Sequence, residues 1–204
     1  MRNPLGSWDK SDSYFDNESC YIGEKDMVLA KGLIKAGSDH RKFLRQIFVS
    51  VDITAPVYWW KEFDTYKVGT TANSTSTMHT LSKHPITLEC FETDDYNDTI
   101  EQDEDVVDIK SIASRLISDI EQLRQLYIQS GNKKIWKEIV RWLPMGWLQT
   151  RTVTMTYENI LNMCRSRSTH KLNEWSGGDN PELPNFISWA HTLPYSDELI
   201  FCKE

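Results

Sequence analysis

Apolar side chains stand at Ile109, Ile112, Leu116, Ile120, Leu123 and Tyr127, and the run stops at Gly131. Steps of three and four residues return to one side of a 3.6-residue turn, so the stretch predicts a long amphipathic helix with a single apolar stripe. Such a helix must bury its stripe against other elements, which commits the chain to a packed, layered domain. The preceding segment, 92–108, holds nine acidic side chains and no basic one. Self-repulsion predicts a solvated acidic surface loop there, inserted before the helix.

The remaining elements follow from period and punctuation. Residues 1–25 are polar and turn-rich, and predict an irregular segment. Its abrupt start, MRNPLGSWDKSDS, predicts a further natural element upstream. Asp26 is placed to cap a helix over 27–36, with Gly37 as its stop. Ile47, Val49, Val51 and Ile53 alternate with Phe48, Ser50 and Asp52, the period of a half-buried strand. Pro56 suits the first turn of a helix running to about Asp64, placing Trp60 and Phe63 on one face with Pro56. A shorter helix carries Ile135, Trp136, Ile139 and Val140, and LPMGW (143–147) breaks it. LQTRTVTMT (148–156) is rich in β-branched residues and reads as a strand. Thr156 then caps a helix from 157 to about 172, followed by a loop at 176–184. The last twenty residues read as one short helix and a tail. The sum is a single α+β domain over 1–204.

Composition narrows the function. A net charge of −7 argues against a protein that grips a nucleic-acid backbone, which needs a basic excess. Cys20, Cys90, Cys164 and Cys202 are far apart, with no CxxC, which points to thiols in a reducing compartment. No apolar run reaches the roughly 18 residues of a spanning helix, and no signal peptide is visible, so the expectation is a soluble cytoplasmic protein without a membrane partner. Eight Trp and eight Tyr add weight to an oligomer or a ligand site. His40, His79, His84, His170 and His191 show no metal spacing, so no metal site is expected. The predicted helix after Thr156 carries Asn162, Arg165, Arg167, His170 and Lys171. In an acidic chain this cluster is either a solvated basic face or a surface for an anionic ligand, to which Arg offers forked donors.

Two blocks bring a resemblance. DITAPVYWW (52–60) leads into TYKVGTTANSTSTMH (65–79), and LPMGW is followed by TMTYENILNMCRSR (154–167), with LIKAGSDHRKF (33–43) upstream. Together they resemble the flavin-dependent thymidylate synthase (ThyX) family, whose signature is RHRxxSxNExSxR and whose second block reads like TxNARSLxNFxxLR. The resemblance covers about residues 30–80 and 135–175 and rests on the order and spacing of the blocks. It implies a ThyX-like single domain, an antiparallel or mixed sheet packed with a long helix and shorter ones. It also implies reductive methylation of dUMP, with FAD as cofactor and reduced nicotinamide and methylene-folate as co-substrates. The family is a homotetramer with sites at subunit junctions, which implies a homo-oligomer here.

Site residues carry over position by position. Arg167 falls on the family Arg that contacts the uracil ring, and Asn162 on the helix Asn near the ligands. Arg167 is therefore the implied electrophilic aid to catalysis. His40 takes the place of the early His, and Arg141 lies one residue out of step with a nucleotide-contacting Arg. Thr65, Tyr66 and Lys67 replace Arg-His-Arg, leaving Lys67 as the preserved charge. Thr70 stands at the first Ser. With one inserted residue Asn73, Ser74, Ser76 and Met78 take the places of the Asn, Glu, second Ser and final Arg; ungapped, Ala72, Asn73, Thr75 and Thr77 do, and either way the Glu and last Arg are gone. Thr70, Ser74 and Ser76 are thus candidate replacements for lost phosphate donors, beside Arg141 and Arg167. His40, Lys67, Asn73 and Asn162 are the candidate flavin contacts. Glu158 reverses the charge of the family's NAR arginine. Each hydrogen bond to a charged group is worth about 1.5–3 kcal/mol, so these losses weigh against an unchanged flavin site. A second reading follows: a non-catalytic binding or inhibitor protein on the same scaffold, phage or mobile-element encoded, with a nucleotide or a protein partner.

Overall fold

Three strands whose residues alternate between the two faces of a sheet anchor the computed structural model, which describes residues 1–202. In chain order the elements are strands β1 (Tyr14–Phe15) and β2 (Cys20–Tyr21), helix α1 (Glu24–Lys35), strand β3 (Phe48–Pro56), helix α2 (Val57–Phe63), strand β4 (Thr71–Ser74) and helix α3 (Thr77–Thr80). Then come strands β5 (Thr99–Gln102) and β6 (Asp105–Asp108), helices α4 (Ile109–Ser130) and α5 (Lys133–Trp142), and strand β7 (Leu148–Thr156). Helices α6 (Tyr157–Arg167), α7 (Asn173–Ser176), α8 (Phe186–His191) and α9 (Ser196–Leu199) complete the chain. The last two residues of the expected tail lie outside the described ones.

The principal sheet has the order β3-β7-β4. Partners descend along β7 as they ascend along β3: Ser50 meets Thr154, Asp52 meets Thr152 and Thr54 meets Thr150 through their side chains. The two strands are therefore antiparallel. Val49, Val51 and Ile53 lean to the half-buried face, while Ser50, Asp52 and Thr54 stay exposed, the alternation expected from their spelling.

The described residues divide into two compact units, one of Met1–Val51, Tyr66–Thr71 and the chain from Val153 onward, the other of Asp52–Thr65 and Ala72–Thr152. In the second unit Leu81, Ile86, Phe91, Ile120 and Ile139 form a core, with Leu123 and Tyr127 packed against it. The long helix α4 thus appears where its periodicity placed it, ended by Gly131 in the left-handed conformation at φ 62°. Its stripe is used unevenly: Ile120 is buried, while Ile112 is 57% exposed. Trp59, Trp60 and Phe63 form a second knot of rings, centroids 4.9–5.3 Å apart, so three of the aromatics serve the interior. Arg151 covers the Trp60 ring at 4.2 Å and pairs with Asp64 at 3.0 Å. The acidic segment is more ordered than a loop: Thr99–Gln102 pairs antiparallel with Asp105–Asp108 as a hairpin, every residue exposed.

In the first unit Ala30, Ile34, Leu44, Met155, Ile160, Leu161, Trp175, Phe186 and Leu199 are buried. Helix α1 starts at Glu24, so Asp26 lies inside it and does not cap it. The capping carboxylate comes from Asp12, which accepts from the Lys25 and Asp26 N–H groups at 2.9 and 3.1 Å. Gly23 leaves room for it; a Cβ there would stand 2.3 Å from the Asp12 side chain. Asp26 instead turns inward to Arg2 (2.6 Å), Ser11 (2.5 Å) and Ser13 (2.6 Å) and ties down the N-terminal segment, which contains two 3-10 turns and the β1–β2 hairpin. Thr156 caps α6 as expected, in a reciprocal box with Asn159. The helix ends at Arg167, five residues short of the predicted end, so His170 and Lys171 lie beyond it. The described residues of the last twenty hold two short helices rather than one, α8 and α9.

Candidate functional site

Helix α6 carries two guanidinium systems, one at each end. At its start Glu158 is buried (7% exposed) and takes both arginines of the 3-10 turn Arg41–Gln46, which precedes β3. Arg41 Nε donates to Glu158 Oε1 at 3.2 Å, and Arg45 donates from Nε to Oε2 and from Nη2 to Oε1 at 3.3 Å. Arg41, itself 8% exposed, also donates from Nη2 to Asn162 Oδ1 at 3.0 Å. Burial pushes the Glu158 carboxyl up, but the hydrogen bonds and charges of Arg45 and Arg41 outweigh it, and its pKa sits below the ordinary carboxylate value. The charge reversal at 158 is therefore answered by two arginines from another segment.

At the far end Arg167 Nε donates to the Tyr66 hydroxyl at 3.0 Å. Its guanidinium carbon lies 5.5 Å from the Tyr66 ring centre and 5.4 Å from that of Trp175. The two ring centres are themselves 6.3 Å apart, at an interplanar angle of 60°. Three nearly equal distances make a triangle, so the cation sits in the corner between two tilted rings and is not sandwiched. Cation–π attraction at such a half-buried site is worth about 1 kcal/mol per ring. Trp175 is fully buried and packs edge-on against Phe186 at 5.2 Å, which gives the corner a rigid floor.

The turn that carries Tyr66 is fastened to both ends of α6. Asn159 Nδ2 donates to the Val68 carbonyl at 2.7 Å, eight residues (about 12 Å of helix) before Arg167. Gly69 makes the approach possible at φ +81°, where a Cβ would meet Asn159 Oδ1 at 3.3 Å. Thr70 turns its hydroxyl back onto the Tyr66 and Lys67 carbonyls at 3.4 and 3.3 Å, closing the turn.

The sequence-derived candidates thus fall into groups. Arg167 reaches the 66–70 turn through Tyr66, and Thr70 and Lys67 belong to that turn, with Lys67 exposed. Asn162 belongs to the Arg41 system, and His40 stands exposed at the head of the Arg41–Gln46 turn. In the second unit Asn73 and Ser74 are exposed along β4, and Ser76 caps α3 with its carbonyl, accepting from the His79 and Thr80 N–H groups at 3.0 Å each. Arg141 lies exposed on the last turn of α5, paired with Glu138. Sequence reasoning missed Tyr66, Trp175, Arg41 and Arg45 as partners. The available signal was chemical: a Tyr in place of a basic residue offers an arginine both a ring face and an oxygen acceptor.

Among the described residues no group of three or more His, Cys, Asp or Glu side chains is close enough to hold a metal ion, and no helix is long and apolar enough to cross a membrane.

No protein-family model matches the chain, and no curated protein sequence matches it. Solved structures do. A flavin-dependent thymidylate synthase ThyX from Helicobacter pylori, complexed with FAD and dUMP, aligns with a TM-score of 0.65 at 15% identity, covering 100% of this chain and 91% of that one. The fold is that of the flavin-dependent thymidylate synthases. A UMP/dUMP methylase, PolB from Streptomyces cacaoi, bound with 5-Br UMP, shares it with a TM-score of 0.59 at 14% identity, over 89% of this chain and 84% of that one. The α+β class and the ThyX-like scaffold read from the motifs are thereby established.

The Helicobacter pylori structure holds FAD; in this chain the candidate flavin contacts do not fit an unchanged flavin site. A flavin diphosphate needs cationic or N–H donors, yet Arg41 and Arg45 are engaged with the chain's own Glu158, and Lys67 is a single point charge. The Asn162 carbonyl is likewise held by Arg41.

Proposed function

We propose that this protein binds a pyrimidine nucleotide of the dUMP type on the thymidylate synthase fold, with Arg167 as the donor to the ring carbonyl. The observation that carries this reading is the fixed guanidinium itself. The contacts of Arg167 include a hydrogen bond to Tyr66 and the rings of Tyr66 and Trp175, which fix the guanidinium in place in advance of a ligand. Its support from the comparisons is that the scaffold's solved examples hold dUMP or 5-Br UMP. A donor aimed at a pyrimidine oxygen also stabilises negative charge that develops there when the ring is attacked, which is the chemistry reductive methylation of dUMP requires.

The alternative, a non-catalytic binder, is favoured by one observation: Glu158 and its two arginines, which replace a ligand-facing cation by an internal pair. Both readings share the pyrimidine site and separate on flavin. Calorimetric titration of the purified protein with dUMP, before and after Arg167→Ala, tests the first claim. The expected result is saturable binding that weakens about 10- to 150-fold in the variant, the effect of one charge-assisted contact. No heat from wild-type protein at millimolar dUMP refutes it. Flavin absorbance in the purified protein, or tight FAD uptake, decides for the methylating reading; a colourless protein that binds dUMP decides for the binder.

A further inference from the structure

Tyr66 accepts a hydrogen bond from a guanidinium, and this leaves its own proton unassigned. A phenol oxygen is both acceptor and donor. The acceptor side is used by Arg167 Nε–H at 3.0 Å. Among the described residues no group receives the Tyr66 O–H. The hydroxyl is half-buried, on a turn pinned to α6 at Asn159, and its ring leans on the buried Trp175. Its orientation is therefore built by three separate contacts, although nothing among the described residues consumes its proton.

We propose that Tyr66 is itself a ligand-binding residue: its hydroxyl donates to a carbonyl oxygen of the pyrimidine ring while it accepts from Arg167. A hydroxyl that receives a hydrogen bond from a cation becomes a stronger donor, because polarisation along the chain Arg167 Nε–H, Tyr66 O–H adds cooperatively. The natural recipient is a neutral, strongly accepting oxygen next to the guanidinium, and a pyrimidine-dione carbonyl has that chemistry. Tyr66 thus replaces the basic residue of the resembling signature by a neutral donor that borrows its polarity from Arg167. The inference rests on the nucleotide reading above and adds a second ring contact to it.

The test pairs a protein change with a ligand change. Tyr66→Phe keeps the ring over Trp175 and deletes only the hydroxyl. dUMP is compared with 2-thio-dUMP and 4-thio-dUMP, in which sulfur is a poor hydrogen-bond acceptor. The expected result is that Tyr66→Phe binds dUMP about tenfold more weakly than wild type, and that the penalty for one of the two thio analogues is about tenfold smaller in Tyr66→Phe than in wild type, any penalty due to Arg167 being retained. Equal dUMP affinity for wild type and Tyr66→Phe, or thio penalties of unchanged size in the variant, overturns the contact and leaves the nucleotide reading standing. Absence of dUMP binding to wild type overturns the nucleotide reading, and the contact with it. Should Tyr66→Phe fold poorly by thermal melt, the wild-type thio series still decides: no penalty for either analogue overturns the proposal.

Discussion

Removing Glu158 puts the paired-arginine reading of α6 to a quantitative test. The carboxylate and Arg41 are both nearly buried, with side-chain exposures of 9% and 10%, whereas Arg45 is 51% exposed. The Arg45 arm is largely screened by water and contributes little. The Arg41 arm counts in full. Deleting one partner of a buried pair costs about 3–5 kcal/mol, because the other charge is stranded. Here the loss is moderated, since Asn162 Oδ1 still accepts from Arg41 at 3.0 Å. Glu158→Ala is therefore expected to cost about 3 kcal/mol, a fall in Tm of about 6–12 °C for a chain of this size. Urea denaturation followed by tryptophan fluorescence and circular dichroism measures it. Arg41→Ala and the double variant complete a cycle, in which the double variant is expected to lose less than the sum of the singles. A loss below about 1 kcal/mol for Glu158→Ala, or strict additivity of the two changes, would refute the claim that this charge reversal is an internal pair.

Two further outcomes follow from buried titratable groups. Asp26 titrates at about 2: burial raises it, but hydrogen bonds from Ser11, Ser13 and Arg2 and the Arg2 charge win. Its folded value lies below the ordinary 3.8, so its contribution, about 2 kcal/mol, is complete above pH ~4 and is lost as pH falls toward 2. Asp26→Asn should be less stable than wild type at neutral pH and converge with it in acid; parallel stability curves across that window would contradict the assignment. Burial pushes the Cys164 thiol up to about 12, whereas Cys20 is exposed. Iodoacetamide at neutral pH should alkylate Cys20 in the native protein and Cys164 only after denaturation, as read by peptide mass; native labelling of Cys164 would show that its surroundings open readily.

Local chemistry was legible in the residue order. The three- and four-residue steps from Ile109 to Tyr127 specify α4 because a helix repeats within a few residues. The β-branched run 148–156 specifies β7, and Thr156 followed by Asn159 specifies the start of α6. Even the scaffold was readable, since the order and spacing of two blocks are properties of the chain. What the residue order could not reveal is where a charge finds its partner. Tyr66 and Arg167 are 101 residues apart, Arg41 and Glu158 117, Arg2 and Asp26 24. No periodicity links such positions; they meet because packed elements bring them together, and burial then makes each unpaired alternative costly. Asp26 looked like a cap by local rules, yet the fold handed that role to Asp12 and turned Asp26 inward. In the same way the hydroxyl-rich turn was visible as a candidate ligand segment, but only the tertiary structure brought the tyrosine that leads into it onto Arg167 and Trp175.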